Sequence, residues 1–252
     1  MELQKYFERL KLDFNDKIEP TVEVLLILQK VHLLNIPFEN LDIHNNKRID
    51  LKNSFDKIII NGRGGFCYEL NGLFFELLKS IGFSVKLISA RGFDSNKGFG
   101  PEFDHMAIIA TINSIKYLVD VGFGEFTLHP LSVELNKLQS DPRGNFIIED
   151  YDKNYMIVKK ENGSNSTFTP EYIFSETERE LTDFTEMCNY HQFDSNSHFT
   201  KKKLCTLPTL NGRITIIGNI LKIKNNDKVI ESEIKNDVEL KRILMQYFKI
   251  KL

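Results

Sequence analysis

The chain has 252 residues, enough to bury a sizeable core without disulfide or metal staples. Apolar residues make up 41% and charged residues 27%, an ordinary soluble balance, and a net charge of −2 leaves no global basic field for nucleic acid or a membrane surface. The three cysteines, Cys67, Cys188 and Cys205, lie far apart with neither a disulfide framework nor zinc-site spacing; the first residues lack the apolar stretch of a signal peptide, and no apolar run reaches membrane-spanning length. These features predict a reducing cytoplasm, where a reactive thiol survives, and no bound metal.

In chain order, Leu3, Phe7 and Leu10 share one face of a short helix over 2–12. Thr21 offers an N-cap for a helix over 22–34, with Val22, Leu25, Leu26, Ile27 and Val31 as its apolar stripe and Pro37 as its stop. Pro37-Phe38-Glu39-Asn40-Leu41 reads as a compact loop, and 50–60 as a further helix. Arg63-Gly64-Gly65-Phe66-Cys67 follows, two glycines leading toward a cysteine. After it, Leu70, Leu73, Phe74, Leu77 and Leu78 fall at helical spacing, predicting a helix over 67–80 with Gly82 near its C-cap. A thiol on the first turn of a helix lies at the positive end of the dipole, which favours thiolate, the nucleophilic form. The plainer reading is a small buried cysteine at a tight turn.

Beyond Gly82 the pattern changes to strands at 84–90, 105–111 and 115–121, the last two joined by a turn at Asn113-Ser114, with a loop rich in Gly and Phe before them. Further strands fit 146–149, 155–159 and 166–168, and a closed or strongly bent antiparallel sheet is the natural outcome. A helix over 175–188, an extended stretch over 199–206, a hairpin signalled by Asn211-Gly212, a strand near 220–223 and an amphipathic helix over 238–248 complete the chain.

A cysteine nucleophile needs a base, and the base an orienting carboxylate. His105 begins one predicted strand and Asp120 ends the next. In a hairpin turning at Asn113-Ser114 the two come together at the open end. Taken singly, His105 is a strand-end histidine and Asp120 a turn former; together, after a Gly-Gly-Phe-Cys turn, they read as the rest of a triad.

The ordered set Arg63-Gly64-Gly65-Phe66-Cys67, Asp104-His105-Met106 and Val119-Asp120-Val121-Gly122-Phe123-Gly124 resembles the arylamine N-acetyltransferases. Supporting it are Pro37-Phe38-Glu39-Asn40-Leu41, His129-Pro130 and the terminal Phe248-Lys249-Ile250-Lys251-Leu252; Phe66 stands where many relatives have Trp. The resemblance implies a Cys67–His105–Asp120 triad in an α+β fold of three parts: a helical bundle (1–83), an antiparallel β-barrel (84–190) and an α/β lid (191–252), with the first two parts akin to cysteine-protease-like folds. It implies acetyl-CoA as donor co-substrate and no permanently bound cofactor. Aromatic amines or hydrazines are the implied acceptors, in a ping-pong reaction through an acetyl-cysteine. Phe38, Phe93 and Phe123 would wall the acceptor pocket. Gly122, Gly124, Thr206 and Thr209 would face CoA, and Arg63 and Glu39 would pair beneath the thiol loop. The expected assembly is a monomer or weak homodimer. Two other chemistries use the same triad: a thiol hydrolase, and an amide synthase acting on a polyketide-type acyl chain.

Overall fold

The computed structural model describes residues 1–13, 18–163 and 167–252. The N-terminal part is helical: α1 (Leu3–Leu10), α2 (Val22–Asn35), the short α3 (Leu41–His44) and α4 (Cys67–Ile81), with the two-residue strand β1 (Phe38–Glu39) between α2 and α3. The Thr21 hydroxyl accepts the Val24 N–H, a cap worth about 1 kcal/mol. The helix predicted over 50–60 is instead a 3-10 turn (Leu51–Asn53) followed by a π turn (Asp56–Ile60). Side-chain bonds from Asp50 to the Lys52 N–H and from Ser54 to the Leu51 carbonyl compete there with the α pattern.

A barrel-like antiparallel sheet follows. Its strands are β2 (Ser84–Asp94), β3 (Gly98–Phe99), β4 (His105–Ile112), β5 (Ile115–Val119), β6 (Leu131–Ser132), β7 (Gln139–Asp141), β8 (Gly144–Asp150), β9 (Met156–Asn162) and β10 (Thr167–Arg179). They run in the order β6-β5-β4-β2-β10-β9-β8-β7, with β3 folded back on β2. The free edges β6 and β7 are joined by one side chain: Gln139 donates to the Ser132 carbonyl and accepts the Ser132 N–H, as a peptide unit of a missing strand would. Asn113 and Ser114 both adopt positive φ, the signature of the predicted two-residue turn between β4 and β5.

Two expectations change beyond the barrel. The segment 175–188 does not begin as a helix: β10 runs on to Arg179, paired with β2 as far as Leu87, and α5 (Thr185–Phe193) starts only later. Burial of Phe174 and Ser175 in the sheet outweighs local helix preference. Ser166, the predicted start of that strand, lies outside the described residues. The stretch predicted extended over 199–206 opens as α6 (His198–Lys201), capped by Ser197.

The last part is a sheet ordered β1-β11-β12-β13-β14, formed by β11 (Leu204–Thr209), β12 (Gly212–Ile217), β13 (Ile220–Asn225) and β14 (Lys228–Glu233), with α7 (Asp237–Ile243) and a final π turn (Leu244–Phe248) packed on it. The β11–β12 turn falls one residue earlier than Asn211-Gly212 suggests, because Thr209 pairs with Gly212. A Cβ at Gly212 would stand 2.0 Å from the Lys224 carbonyl, so this glycine serves close approach to β13.

Strand β4 is buried on both faces, which explains its continuous apolar reading. Met106, Ile108 and Ala110 join the helical core with Leu70, Phe74 and Leu77 of α4, whereas Ala107 and Ile109 fill the barrel with Phe126, Phe146 and Phe174. The helix that begins at Cys67 thus packs directly against the strand that carries His105.

Candidate active site

Cys67 is the first residue of α4. The turn before it is fixed from both sides. The Glu69 carboxylate reaches back to the Phe66 N–H (2.9 Å), while the Gly65 N–H donates to the Pro37 carbonyl and the Gly65 carbonyl accepts the Glu39 N–H. Beneath it lies a buried charge network. Arg63 bonds Glu39 through Nε (3.0 Å) and Nη2 (2.7 Å) and also Asp42 (2.9 Å), joining the two residues the sequence paired. Lys57 adds contacts to Asp42 (2.8 Å) and Glu69 (2.9 Å). Two cations and three carboxylates interlock here and fix the loop's shape; against the cost of burial, Lys57 and Arg63 hold the Asp42 carboxyl below its usual value, whereas burial raises that of Glu69. A cavity of about 720 Å3 lies beside this network; Cys67, His105 and Asp120 do not line it.

His105 and Asp120 meet as the hairpin arithmetic predicts. Their Nε2 and Oδ2 atoms are 2.7 Å apart, and both side chains are buried. With Nε2–H assigned as donor to the carboxylate, Nδ1 carries the ring's lone pair. The other carboxylate oxygen, Oδ1, accepts the N–H groups of Gly122 (2.8 Å) and Phe123 (3.1 Å) and the Asn71 side-chain amide (3.0 Å). Asn71 lies one turn along α4 from Cys67, on the same face, and also donates to the Met106 carbonyl (2.6 Å) and accepts the Val121 N–H (2.9 Å). Gln29 accepts the Asp120 N–H from α2 (3.3 Å).

Gly122 closes the assembly: a Cβ there would lie 3.0 Å from both the Cα and the carbonyl oxygen of Cys67 and 2.7 Å from Asn71 Nδ2. Its lack of a side chain lets the Asp120 loop sit directly on the thiol turn.

The thiol's electrostatics differ from the expectation of simple activation by a helix start. The Tyr68 backbone N–H does pull the Cys67 pKa down, but burial pushes it well above the ordinary thiol value, with Cys188, Asp104 and Asp120 adding to the rise. Desolvation of the thiolate outweighs the helix terminus.

The other sequence candidates distribute unevenly. The Phe123 ring stands 5.0 Å from His105, edge to face, and 4.9 Å from Tyr172. The Phe38 ring contacts Phe66 (5.7 Å) and Phe199 (6.1 Å) beside the thiol turn. Phe93 pairs with Phe99 (5.2 Å) at the outer end of β2, where Phe99 meets Tyr151 (5.2 Å). Gly124 is exposed and its carbonyl accepts Arg213 Nη2 (2.7 Å). The Thr206 hydroxyl is taken up by Thr215 (2.9 Å) and Arg213 Nη1 (3.0 Å), and the Thr209 carbonyl accepts Arg143 Nη2 (2.9 Å). Arg213 therefore ties the C-terminal sheet to the loop after Asp120, and burial lowers its pKa to about 10.

Sequence reasoning overlooked Asn71, Gln29, Lys57, Asp42 and Glu69. The spacing of Asn71 from Cys67, one helical turn, is a signal that points to the first of them. Among the described residues no group of His, Cys, Asp and Glu is arranged to hold a metal, and no helix is long and apolar enough to cross a membrane.

Residues 21–252 match a family model described as N-acetyltransferase. The chain is 29% identical to the arylamine N-acetyltransferase pineal gland isozyme NAT-10 of Gallus gallus and 27% identical to arylamine N-acetyltransferase 2 of Homo sapiens, each over 100% of this chain and 95% of the relative. Among solved structures it resembles the arylamine N-acetyltransferase of Salmonella typhimurium, with a TM-score of 0.89 at 26% identity over 98% of this chain and 90% of that one. It also resembles a Bacillus cereus enzyme of the same name described as having a unique Cys-His-Glu catalytic triad, with a TM-score of 0.89 at 27% identity and full coverage of both chains. A matching family model over nearly the whole length, and a thiol turn locked onto a His–Asp pair in the same fold, lead to one conclusion: the chain belongs to the arylamine N-acetyltransferase family of acyltransferases.

Proposed function

We propose that the protein transfers an acetyl group from acetyl-CoA to arylamines and hydrazines, with O-acetylation of arylhydroxylamines as a related reaction, through an acetyl-thioester on Cys67. The observation that carries this reading is the 2.7 Å His105–Asp120 contact, held on the thiol helix by Asn71 and Gly122. In the first half-reaction His105 takes the Cys67 proton as the sulfur attacks the thioester carbonyl. The new S–C bond forms, the bond to the CoA sulfur breaks, and the proton leaves with CoA. In the second, the amine nitrogen attacks the acetyl carbon, His105 accepts its proton, and that proton returns to the Cys67 sulfur as the S–C bond breaks. The two steps run in ping-pong order. Asp120 holds the imidazole tautomer and stabilises the cation that forms twice per turnover. Backbone N–H groups at the start of α4 receive the oxyanion.

Exchange of one thioester for another is nearly isoenergetic, so the intermediate stores the acetyl group without a deep trap. Phe123, with Phe38 and Phe93 further out, walls the acceptor site. CoA lies along the Gly122–Gly124 loop and the β11 segment bearing Thr206 and Thr209. Because the Thr206 hydroxyl is already engaged, its part is to position Arg213. The setting is cytoplasmic and the working unit a monomer or weak dimer, divided into bundle, barrel and lid. The deciding experiment is the intact mass of the protein after incubation with acetyl-CoA. A gain of one acetyl group, absent in Cys67→Ala, is expected; no gain in the wild type overturns the reading.

A further inference from the structure

Asp104, the residue before His105, carries a carboxylate that the chemistry above leaves unused. Its backbone is anchored to the thiol helix: the Tyr68 hydroxyl donates to the carbonyls of Phe103 (2.8 Å) and Asp104 (3.0 Å), and Phe103 is held in the left-handed region with its N–H on the Ser89 hydroxyl. The side chain is a quarter exposed. Among the described residues no donor gives its carboxylate a hydrogen bond. Its nearest cationic candidate is His191, whose Nε2 lies 3.2 Å from Oδ1 but out of line for a hydrogen bond. The His191 ring packs against Phe66 and Tyr68, the two neighbours of Cys67, and its Nδ1 is engaged with the Ser197 hydroxyl (3.2 Å).

This carboxylate borders the aromatic wall. A point built off the Gly92 Cα lies 3.2 Å from Asp104 Oδ2 and 3.7 Å from Phe123 Cε2, and Phe123 rests on His105. Gly100 packs against its other side: a Cβ there would stand 2.6 Å from the same oxygen, so the carboxylate fits only because both neighbours are glycines, and the quarter of the side chain that is exposed is what a ligand can reach. The negative charge reaches the thiol as well, being one of the influences that raise the Cys67 pKa. A carboxylate with unfilled acceptor capacity at the rim of an aromatic wall favours a ligand that brings a cation or hydrogen-bond donors.

We infer that Asp104 is a specificity-determining residue that selects amine acceptors carrying a second, cationic or hydrogen-bond-donating group and disfavours acceptors carrying a carboxylate. The inference rests on the acetyl-transfer reading of the site and names the class of acceptor within it.

The test uses three anilines of equal reach whose charge is insulated from the ring: 4-(2-aminoethyl)aniline (cationic), 4-aminophenylacetamide (neutral) and 4-aminophenylacetate (anionic). They are assayed on the full-length protein with acetyl-CoA at pH 8, above the ordinary imidazole range. Acetyl loading on Cys67 is recorded by mass on the same preparation. The wild type is expected to show kcat/KM in the order cationic, neutral, anionic. The spread from first to last should be about tenfold, the size that partly exposed charge pairs produce, and it should shrink in 0.5 M salt. Asp104→Asn should compress it to about twofold. Ratios taken within one preparation cancel any loss of folded enzyme. Loading without the charge order in the wild type, or a spread that survives in Asp104→Asn, overturns the assignment alone. Absence of loading overturns the acetyl-transfer reading and the assignment with it.

Discussion

The Asn71 side-chain amide lies 3.0 Å from the Asp120 carboxylate and 2.6 Å from the Met106 carbonyl, so one residue on the nucleophile's helix grips both strands of the hairpin that carries His105. Asn71→Ala leaves the Met106 carbonyl and the Val121 N–H buried without partners. The expected loss of stability is about 1–3 kcal/mol. Loosened registry between helix and hairpin should lower kcat/KM by about 100-fold, the scale of an ångström-sized misplacement. Urea unfolding and steady-state kinetics on one preparation separate the two effects; unchanged kinetics would remove Asn71 from the positioning role.

Gly122→Ala introduces a methyl group 2.7 Å from Asn71 Nδ2 and 3.0 Å from Cys67 Cα. The Asp120 loop must then lift off the thiol turn, at a cost of about 1–3 kcal/mol for overpacking. Acetyl loading from acetyl-CoA, followed by rapid-quench mass spectrometry, should slow markedly. At Gly124 no heavy atom lies within 4 Å of a Cβ position, so Gly124→Ala should leave stability unchanged, and any slowing of loading there reports on contact with CoA and not on the thiol turn.

Asp120 receives four hydrogen bonds through its two oxygens. Asp120→Asn replaces one acceptor oxygen by a donor and removes the charge facing His105. By analogy with a triad lacking its carboxylate, turnover should fall about 10⁴-fold. Asp120→Glu keeps the charge but displaces Oδ1 from the Gly122 and Phe123 N–H groups, so a smaller loss is expected. Equal losses in the two variants would show that hydrogen-bond geometry, and not charge, is what the position supplies.

His32, wholly buried between Tyr6 and Phe74, is pushed down to about 3 by desolvation, with Arg9 adding to the effect. Its folded-state value is depressed below the unfolded 6.5, so between these limits the unfolded chain binds a proton that the folded chain refuses. Stability therefore falls as pH drops from about 6.5 toward 3, by about 1.4 kcal/mol per unit from this residue. His32→Asn, which leaves an acceptor for the Tyr6 hydroxyl, should be less stable at pH 7.5 but lose less on acidification. Denaturant unfolding at pH 7.5, 6 and 5 gives the two slopes, and parallel slopes would refute the assignment.

What could be read from the sequence was mostly local. The Asn113-Ser114 turn fixes the hairpin, and the hairpin brings His105 to Asp120, so spacing alone places that pair. Helix starts and stops at Thr21 and Gly82 were legible because capping is written in adjacent residues. What escaped was decided by distant partners. Ser175 to Arg179 continues a strand because β2 is waiting to pair with it, a fact recorded some ninety positions away. Lys57, Asp42 and Glu69 look like ordinary surface charges until the loop folds over them. The helix start lowers the thiol's pKa as its sequence position suggests, but the burial that opposes it comes from distant segments and cannot be weighed from a nine-residue window.

Strand β1 bears on how the protein is made. Phe38 and Glu39 bridge to Gly65 on one side and pair with Thr206 and Cys205 on the other, while the Asn40 amide bonds the carbonyls of Phe199 and Lys202. The thiol turn is in effect the outermost hydrogen-bonded rung of a sheet whose other rungs, β1 apart, come from the last fifty residues. During synthesis the segments up to β10 can emerge and collapse first, but the far side of β1 stays unpaired until β11 has left the ribosome. A nascent chain stalled before residue 204 would hold Cys67, His105 and Asp120 and would still lack the strand that backs β1, the segment on which the thiol turn is hung.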